Sequence, residues 1–344
     1  MNARKVAVLG ATGVVGQRFL RLLERHPWFR IAEVVASDAS RGKPYAEATR
    51  WTAEGDMPAS ARDLEVKGLD EDLDADLVFS ALPSGTAGAA ERACARRGRP
   101  VFTNAADLRM EDDVPIIVPE VNPDHLALVA PRKGGGFVVA SGNCTSVILA
   151  LALKPLQDRF GLAACHVVSF QALSGAGYPG VPSLDVLANV VPHIPGEEAK
   201  VETEPRKILG TVRDGRIVPA SFPMSATCTR VPVLEGHMEA VTVRLASLAD
   251  DAAIVEALQS FRGGAQDLRL PSAPPIPVRY RTEVDRPQPR RDAAEGDGMT
   301  VVVGRLRPDP VLGWKFLVAG SNTVRGAAGG TILAAELAVS QGLA

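Results

Sequence analysis

The chain has no apolar run long enough to cross a bilayer. Its longest, Val147–Leu153, is far short of the roughly 20 residues a membrane helix needs. It also has no excess of either charge: 38 Lys and Arg face 40 Asp and Glu, for a net charge of −2 and a pI near 6.3. That balance argues against nucleic acid or an anionic membrane surface as a partner. Cysteines are few, namely Cys94, Cys144, Cys165 and Cys228, and none forms a CxxC pair. The histidines His26, His125, His166, His193 and His237 show no metal-ligand spacing, so no metal site is expected. Free thiols suit a reducing, cytoplasmic setting. Met1 to Val8 runs straight toward a strand with no leader-like apolar region and cleavage site.

What is present describes a globular chain. Its 344 residues are 46% hydrophobic and 23% charged, enough for a sizeable core and two domains. Lys5–Leu9 reads as a buried strand, followed by Gly10-Ala11-Thr12-Gly13-Val14-Val15-Gly16 and a helix over 15–25. Glycines at steps of three between a strand and a helix let the backbone approach a pyrophosphate on the helix N-terminus. An ordinary strand–helix turn is the plainer alternative. Gly10, Thr12, Gly13, Val14, Val15 and Gly16 are therefore candidate cofactor residues, with Ser80 and Leu82 at the end of a later strand, 76–82.

The second strand, 31–36, ends in Ser37-Asp38-Ala39-Ser40-Arg41-Gly42-Lys43. Asp38 alone favours a free ribose 2′-hydroxyl and NAD, whereas Ser37, Ser40, Arg41 and Lys43 together suit a 2′-phosphate and NADP. Four donors against one acid tilt the reading to NADP. Further alternation, with a helix over 86–97 and strands over 100–102 and 116–119, predicts a doubly wound parallel sheet.

Cys144 follows the apolar run Phe137–Ala140 at the start of a helix, in Ser141-Gly142-Asn143-Cys144-Thr145-Ser146. Thr145 and Ser146 can offer oxygens to the free amides of the first turn. The partial positive charge there should lower the thiol's pKa, making a nucleophilic thiolate. A small buried residue at a junction is the alternative. Beyond it, a strand over 164–172, helical segments near 183–191 and 197–209, strands at 237–245, 299–306 and 314–319, and a final Ala/Gly-rich helix over 323–340 suggest a mixed sheet, with the last helix packing on the first domain. The fold class is thus α/β, a Rossmann-like doubly wound domain followed by an α+β domain.

Five segments in order carry a resemblance: GATGVVGQRF at the start, GNCTS around Cys144, FQALSGAGYPGVPSLD from Phe170, ATCTRVPVLEGH from Ala226 and SNTVRGAAGG from Ser321. Together they resemble aspartate-β-semialdehyde dehydrogenases of the archaeal and fungal-like branch. The resemblance implies NADPH-dependent reductive dephosphorylation of L-4-aspartyl phosphate to L-aspartate 4-semialdehyde through a thioester, in lysine, threonine and methionine biosynthesis. It makes Cys144 the nucleophile and His237 the acid–base, which takes the thiol proton. Gln171 orients the substrate, and Asn143 with the Cys144 amide steadies the oxyanion.

The resemblance further implies that Arg230 grips the substrate carboxylate. Arg109, Lys200 and Glu197 would serve the phosphate, with Ser174 and Gly175 lining the substrate site. From spacing alone, Glu197 and Lys200 are an i, i+3 ion pair on a solvated face. Asn322 would reach the nicotinamide. The implied domains are 1–143 plus the C-terminal helix 322–344 for NADP, and 144–321 for catalysis and dimerisation, in a homodimer or homotetramer. Two alternatives stand beside this: a malonyl-CoA reductase with the same Cys/His chemistry, and a non-catalytic NADP-binding sensor.

Overall fold

The computed structural model describes residues 3–344; Met1 and Asn2 lie outside the described residues. Six strands form the first sheet: β1 (Arg4–Leu9), β2 (Phe29–Val35), β3 (Val66–Lys67), β4 (Leu77–Ser80), β5 (Val101–Thr103) and β6 (Val138–Ala140). Their order is β3-β2-β1-β4-β5-β6 and every pairing is parallel, the doubly wound arrangement expected. The strand order reverses between β1 and β4, which opens a crevice at their C-terminal ends. Gly10 sits there at φ +71°, and a Cβ on it would lie 2.5 Å from the carbonyl oxygen of Ala81. Only glycine fits that contact.

The second half supplies a small hairpin, β8 (Thr211–Arg213) with β9 (Arg216–Val218), and a mixed sheet. Before it in the chain comes β7 (Leu162–Gln171). After it come β10 (Met224–Arg230), β11 (His237–Leu245), β12 (Val278–Arg281), β13 (Val301–Asp309) and β14 (Gly313–Gly320). The order is β10-β7-β11-β14-β13-β12, with the expected β13–β14 hairpin antiparallel. Residues alternate in and out along β7 and β11, so one face is buried. The Cys144–Phe160 helix covers that face: Val147 to Leu153 share one apolar cluster with Val167, Val241 and Val318. Three functional strand ends meet at one edge, because Arg230 closes β10 opposite Gln171, which closes β7, while β11 begins at His237.

Several expected elements differ. The 116–119 strand reduces to one bridge between Ile116 and Ala140, since Pro115 and Pro119 have no N–H to donate. Only Ser183–Val186 of the expected 183–191 helix is helical; Leu187 turns extended, Ala188 has φ +53°, and Leu184, Leu187 and Val190 have no core to face within the chain. The last helix starts later, at Gly329, after a π-turn over Val324–Ala328, and Ile332, Leu333 and Leu337 pack in one cluster with Val6, Phe19 and Phe79. β10 and β12 carried no clear sequence signal. No helix of the described residues is long and apolar enough to cross a membrane.

One buried acid outside the site has no hydrogen-bond partner at either oxygen. Glu239 on β11 is fully buried, and burial pushes its pKa well above 4.5. The folded state therefore holds a proton that the unfolded chain gives up. Stability from this group is complete below the unfolded pKa and is lost as pH rises toward the folded one, by up to ~1.4 kcal/mol per pH unit. Glu239→Gln should remove that slope in urea melts run from about pH 5 to about pH 8. An unchanged slope would mean that Glu239 is ionised in the folded protein.

Candidate active site

The site is built on the start of the Cys144–Phe160 helix. Asn143 is its N-cap, with Oδ1 accepting from the amides of Thr145 (3.0 Å) and Ser146 (3.3 Å). This corrects the expected cap: Thr145 and Ser146 contribute amides, not side-chain oxygens. The Ser146 hydroxyl instead reaches the carbonyl of Lys200, and the Thr145 hydroxyl is without a partner. Gly326, in the π-turn, packs so closely below Cys144 that a Cβ on it would meet the Cys144 Cβ at 2.6 Å.

Cys144 Sγ lies 3.2 Å from His237 Nε2. The thiol's pKa is not lowered as expected but pushed up to about 12, chiefly by burial and secondarily by the charge of Glu197. The Thr145 amide, Arg109 and Arg230 oppose that shift and do not overcome it. His237 is buried too, and burial with the nearby Arg230 pushes its pKa down to about 3. The resting pair is a neutral thiol beside a neutral imidazole. On the far side of the ring, Nδ1 accepts from the main-chain N–H of Ala172 at 3.0 Å.

Glu197 ties the surrounding residues together. Its Oε1 accepts from Asn143 Nδ2 (2.8 Å) and Gln171 Nε2 (3.1 Å), and its Oε2 from Lys200 Nζ (3.4 Å). The i, i+3 pair thus exists, but its acid faces inward at 6% exposure while Lys200 stays open to solvent. The Asn143 amide expected to hold an oxyanion is engaged by Glu197 in this state. Gln171 also contacts Ser169 Oγ at 3.2 Å.

The two arginines differ. Arg109 Nη1 meets Glu204 Oε1 at 3.0 Å and its Nη2 meets the Asn104 carbonyl at 2.7 Å. Arg230, almost fully buried, donates from Nη1 to the Ala172 carbonyl at 2.8 Å and has no carboxylate partner among the described residues. Gly175 lies against Arg230 and His237; a Cβ there would be 2.8 Å from Arg230 Nη1 and 3.1 Å from the imidazole. Glu204, missed from sequence, also accepts from the Asn143 main-chain N–H. Its signal was available: it lies two helical turns after Glu197 on the same face of the Glu197–Ile208 helix.

On the cofactor side, the Val14–Leu23 helix begins at Gly13 with no side-chain cap. A Cβ on Gly13 would meet nothing closer than 3.4 Å, which leaves room beside the helix start, where free first-turn amides suit a phosphate. Thr12, Val14 and Val15 flank this cradle half-buried, and Gly16 packs on Gly10. Ser37 is exposed and Ser40 half-buried at the end of β2.

Four of the expected cofactor residues have partners or packing within the chain. Arg41 Nε meets Glu71 at 2.8 Å and its Nη1 meets Asp70 at 3.1 Å, and Lys43 Nζ donates to the Ala39 carbonyl at 2.9 Å. The Ser80 hydroxyl turns inward to Glu91 at 2.7 Å, and Leu82 is largely buried. Asn322 accepts from the Gly236 amide (2.9 Å) and donates to Ser174 Oγ (2.8 Å), which brings both to the crevice.

A raised thiol pKa has a direct consequence. Alkylation of Cys144 by iodoacetamide in the ligand-free protein should accelerate about tenfold per pH unit from about pH 6 to about pH 9, with no plateau, since only thiolate reacts. Cys144→Ser supplies the background from the other cysteines. A plateau near neutral pH would contradict a burial-dominated thiol. Gly175→Ala should fold, yet displace the Arg230 guanidinium and raise KM for an anionic substrate by about tenfold, the worth of one charged hydrogen bond.

Known proteins show the same construction. A family model described as semialdehyde dehydrogenase, NAD binding domain, matches residues 5–129, and one described as semialdehyde dehydrogenase, dimerisation domain, matches residues 153–325, in keeping with an oligomeric protein. An aspartate-semialdehyde dehydrogenase of Archaeoglobus fulgidus is 47% identical over 98% of each chain. A malonyl CoA reductase (NADP) of Metallosphaera sedula is 39% identical over 98% of this chain and 97% of its own. The crystal structure of the Candida albicans aspartate semialdehyde dehydrogenase with NADP superposes with a TM-score of 0.93 at 38% identity, covering all of both chains. With this sheet order, this Cys–His pair and these full-length likenesses, the chain belongs to the aspartate-semialdehyde dehydrogenase family.

Proposed function

We propose that the chain reduces L-4-aspartyl phosphate to L-aspartate 4-semialdehyde with NADPH, through a thioester on Cys144, in the biosynthesis of aspartate-derived amino acids. The observation that carries this is the 3.2 Å Cys144–His237 pair beside the unpaired guanidinium of Arg230. A nucleophile next to a free buried cation suits an acyl donor that also carries a carboxylate. Residues 1–143 with 322–344 would form the cofactor unit and 144–321 the catalytic unit, working in the cytoplasm as a homodimer or homotetramer.

In this reading, Arg230 takes the substrate carboxylate in bidentate fashion. Lys200, with Arg109 behind it, receives the acyl phosphate end, and Gln171 orients the acyl group. Much of the acceleration then comes from holding both ends of a dianion. Cys144 Sγ attacks the acyl carbon, the phosphate leaves, and a thioester remains. The Gly13 cradle holds the cofactor's pyrophosphate, and Asn322 with Ser174 stands toward its nicotinamide. That nicotinamide, when bound, supplies the hydride that reduces the thioester. Leaving the solvent-open Lys200 at the phosphate end gives the released anion a way out.

Purified protein should reduce NADP⁺ when given aspartate semialdehyde and phosphate. Turnover confined to malonate semialdehyde with CoA would overturn the assignment in favour of the acyl-CoA relative. Cys144→Ala should abolish activity with the fold intact by circular dichroism. Arg230→Leu should lower kcat/KM about 10- to 100-fold, the loss of a charged hydrogen bond of ~1.5–3 kcal/mol.

A further inference from the structure

β10 is the outer strand of the mixed sheet, paired with β7 on one side only. An outer strand leaves every second N–H facing away from its neighbour. Three successive outward amides of β10 are nonetheless taken. The Ala226 amide donates to Glu202 Oε1 at 3.0 Å and the Cys228 amide to Glu198 Oε1 at 3.1 Å. The Arg230 amide donates to the Val191 carbonyl at 2.9 Å. Two carboxylates, one turn apart on the Glu197–Ile208 helix, thus stand where a further strand would pair.

Their spacing sets a single register. Four helical residues rise ~6 Å and two strand residues ~6.6 Å, so the step from Glu198 to Glu202 matches the step from Cys228 back to Ala226. The next positions along that line, Ile194 and Arg206, have no side-chain acceptor. A helix moved one turn either way would leave one edge amide bare or set it against a guanidinium. The same helix carries Lys200, between the two carboxylates, with its ammonium open to solvent. The strand it grips ends at Arg230. One turn of slip would carry Lys200 ~6 Å along β10, beyond the reach of a hydrogen bond. The far end of the helix is anchored separately. Glu204 pairs with Arg109, and Lys207 Nζ donates to the carbonyls of Arg109 (2.7 Å), Glu111 (2.8 Å) and Val114 (2.9 Å). Loss of Glu198 and Glu202 should therefore loosen the first two turns and leave the helix folded.

We propose that Glu198 and Glu202 are positioning residues: by gripping the outer edge of β10 they fix the span between Arg230 and Lys200, and with it the length of dianion that can reach both. This deepens the acyl-phosphate assignment above and rests on its placement of the phosphate at Lys200. The two carboxylates act through Lys200 and not on the reacting atoms. The plainer role for them is to guard an open strand edge against pairing with another chain, and that role would leave phosphate binding untouched.

Hydrogen exchange at the Ala226 and Cys228 amides tests the grip without turnover. Both should exchange at least about tenfold faster in the double variant Glu198→Ala/Glu202→Ala, the worth of a hydrogen bond to a charged group. Glu198→Gln/Glu202→Gln, whose side-chain oxygens still accept, should restore most of the protection. Unchanged protection in the alanine variant overturns the proposal.

Kinetics tests the span, with aspartate semialdehyde, phosphate and NADP⁺ as substrates. The alanine variant should raise KM for phosphate about tenfold or more, the scale of a displaced charged hydrogen bond. KM for the semialdehyde should stay level, because β10 keeps its ladder to β7 and Arg230 its place. The glutamine variant should recover the wild-type KM for phosphate. In a Lys200→Ala background the same two alanines should add nothing further, since effects that pass through one group do not add. An equal penalty with and without Lys200 overturns the proposal. So does a variant that loses stability while KM for phosphate stays unchanged, which would leave edge protection as the carboxylates' role. Wild-type protein that turns over no phosphate would instead sink the acyl-phosphate assignment, with the exchange pattern still deciding whether the grip exists.

Discussion

A carboxylate buried beside a nucleophilic thiol is tolerated only when donors surround it, and Glu197 is surrounded from three elements at once. Asn143 reaches it from the helix start, Gln171 from the end of β7, and Lys200 from its own helix. The same Asn143 caps the helix that presents Cys144. Losing a cap alone costs ~1 kcal/mol, whereas stripping a donor from a buried charge costs ~1–3 kcal/mol or more. The carboxylate therefore does more than the cap to fix where the thiol points. Glu204 repeats the device two turns on, joining Arg109 to the Asn143 main chain. One helix, Glu197–Ile208, thus holds both Arg109 and the residue that caps the Cys144 helix.

Residue type decided how much of this was legible in the sequence. The glycines at 10, 13 and 16 announce a turn that side chains would obstruct, and the structure shows the obstructions at Gly10 and Gly16. Cys144 at a strand–helix junction and His237 at a strand start were readable, and strand register brings His237, Gln171 and Arg230 to one edge. The thiol's state was misjudged because the sequence displays the helix terminus but not the depth of burial. A helix-end field is worth ~0.3–1 kcal/mol at an exposed site, and here desolvation outweighs it. The Ala172 amide and Gly326 left no trace, since one acts through backbone and the other through absence of a side chain. The partners of Arg41 and Ser80, Glu71 with Asp70 and Glu91, were not legible for a related reason: they are separated in sequence and adjacent only in the fold.

The two sides of the crevice are also mechanically tied. Gln17, buried in the helix that follows the glycine loop, donates to the carbonyls of Thr12 and Arg50 and accepts from the amides of Thr52 and Ala53. That fixes the segment from which Arg50 reaches Tyr178, 2.9 Å away in the loop that begins at Ser174 and Gly175. From below, the π-turn places Gly326 under Cys144 while the buried Arg325 pairs with Glu120. The glycine turn, the loop from Ser174 and Cys144 are thereby held against one another by Gln17, Arg50, Tyr178 and Gly326.

The contrast between the two arginines matches the roles proposed for them. Arg109 is paired with Glu204, which offsets much of the cost of burying its charge. Arg230 has no such partner, and burial pushes its pKa down from the ordinary guanidinium range. A buried cation without a counter-charge raises the free energy of the ligand-free state, and an arriving carboxylate removes that penalty on binding. Discrimination should accordingly be sharpest at the carboxylate end, where an uncharged analogue would leave Arg230 buried and unpaired. Lys200, over a third exposed, keeps its hydration and holds an anion loosely. In the proposed reading, a site strict at Arg230 and permissive at Lys200 is matched to a substrate that loses one of its two charges during the reaction.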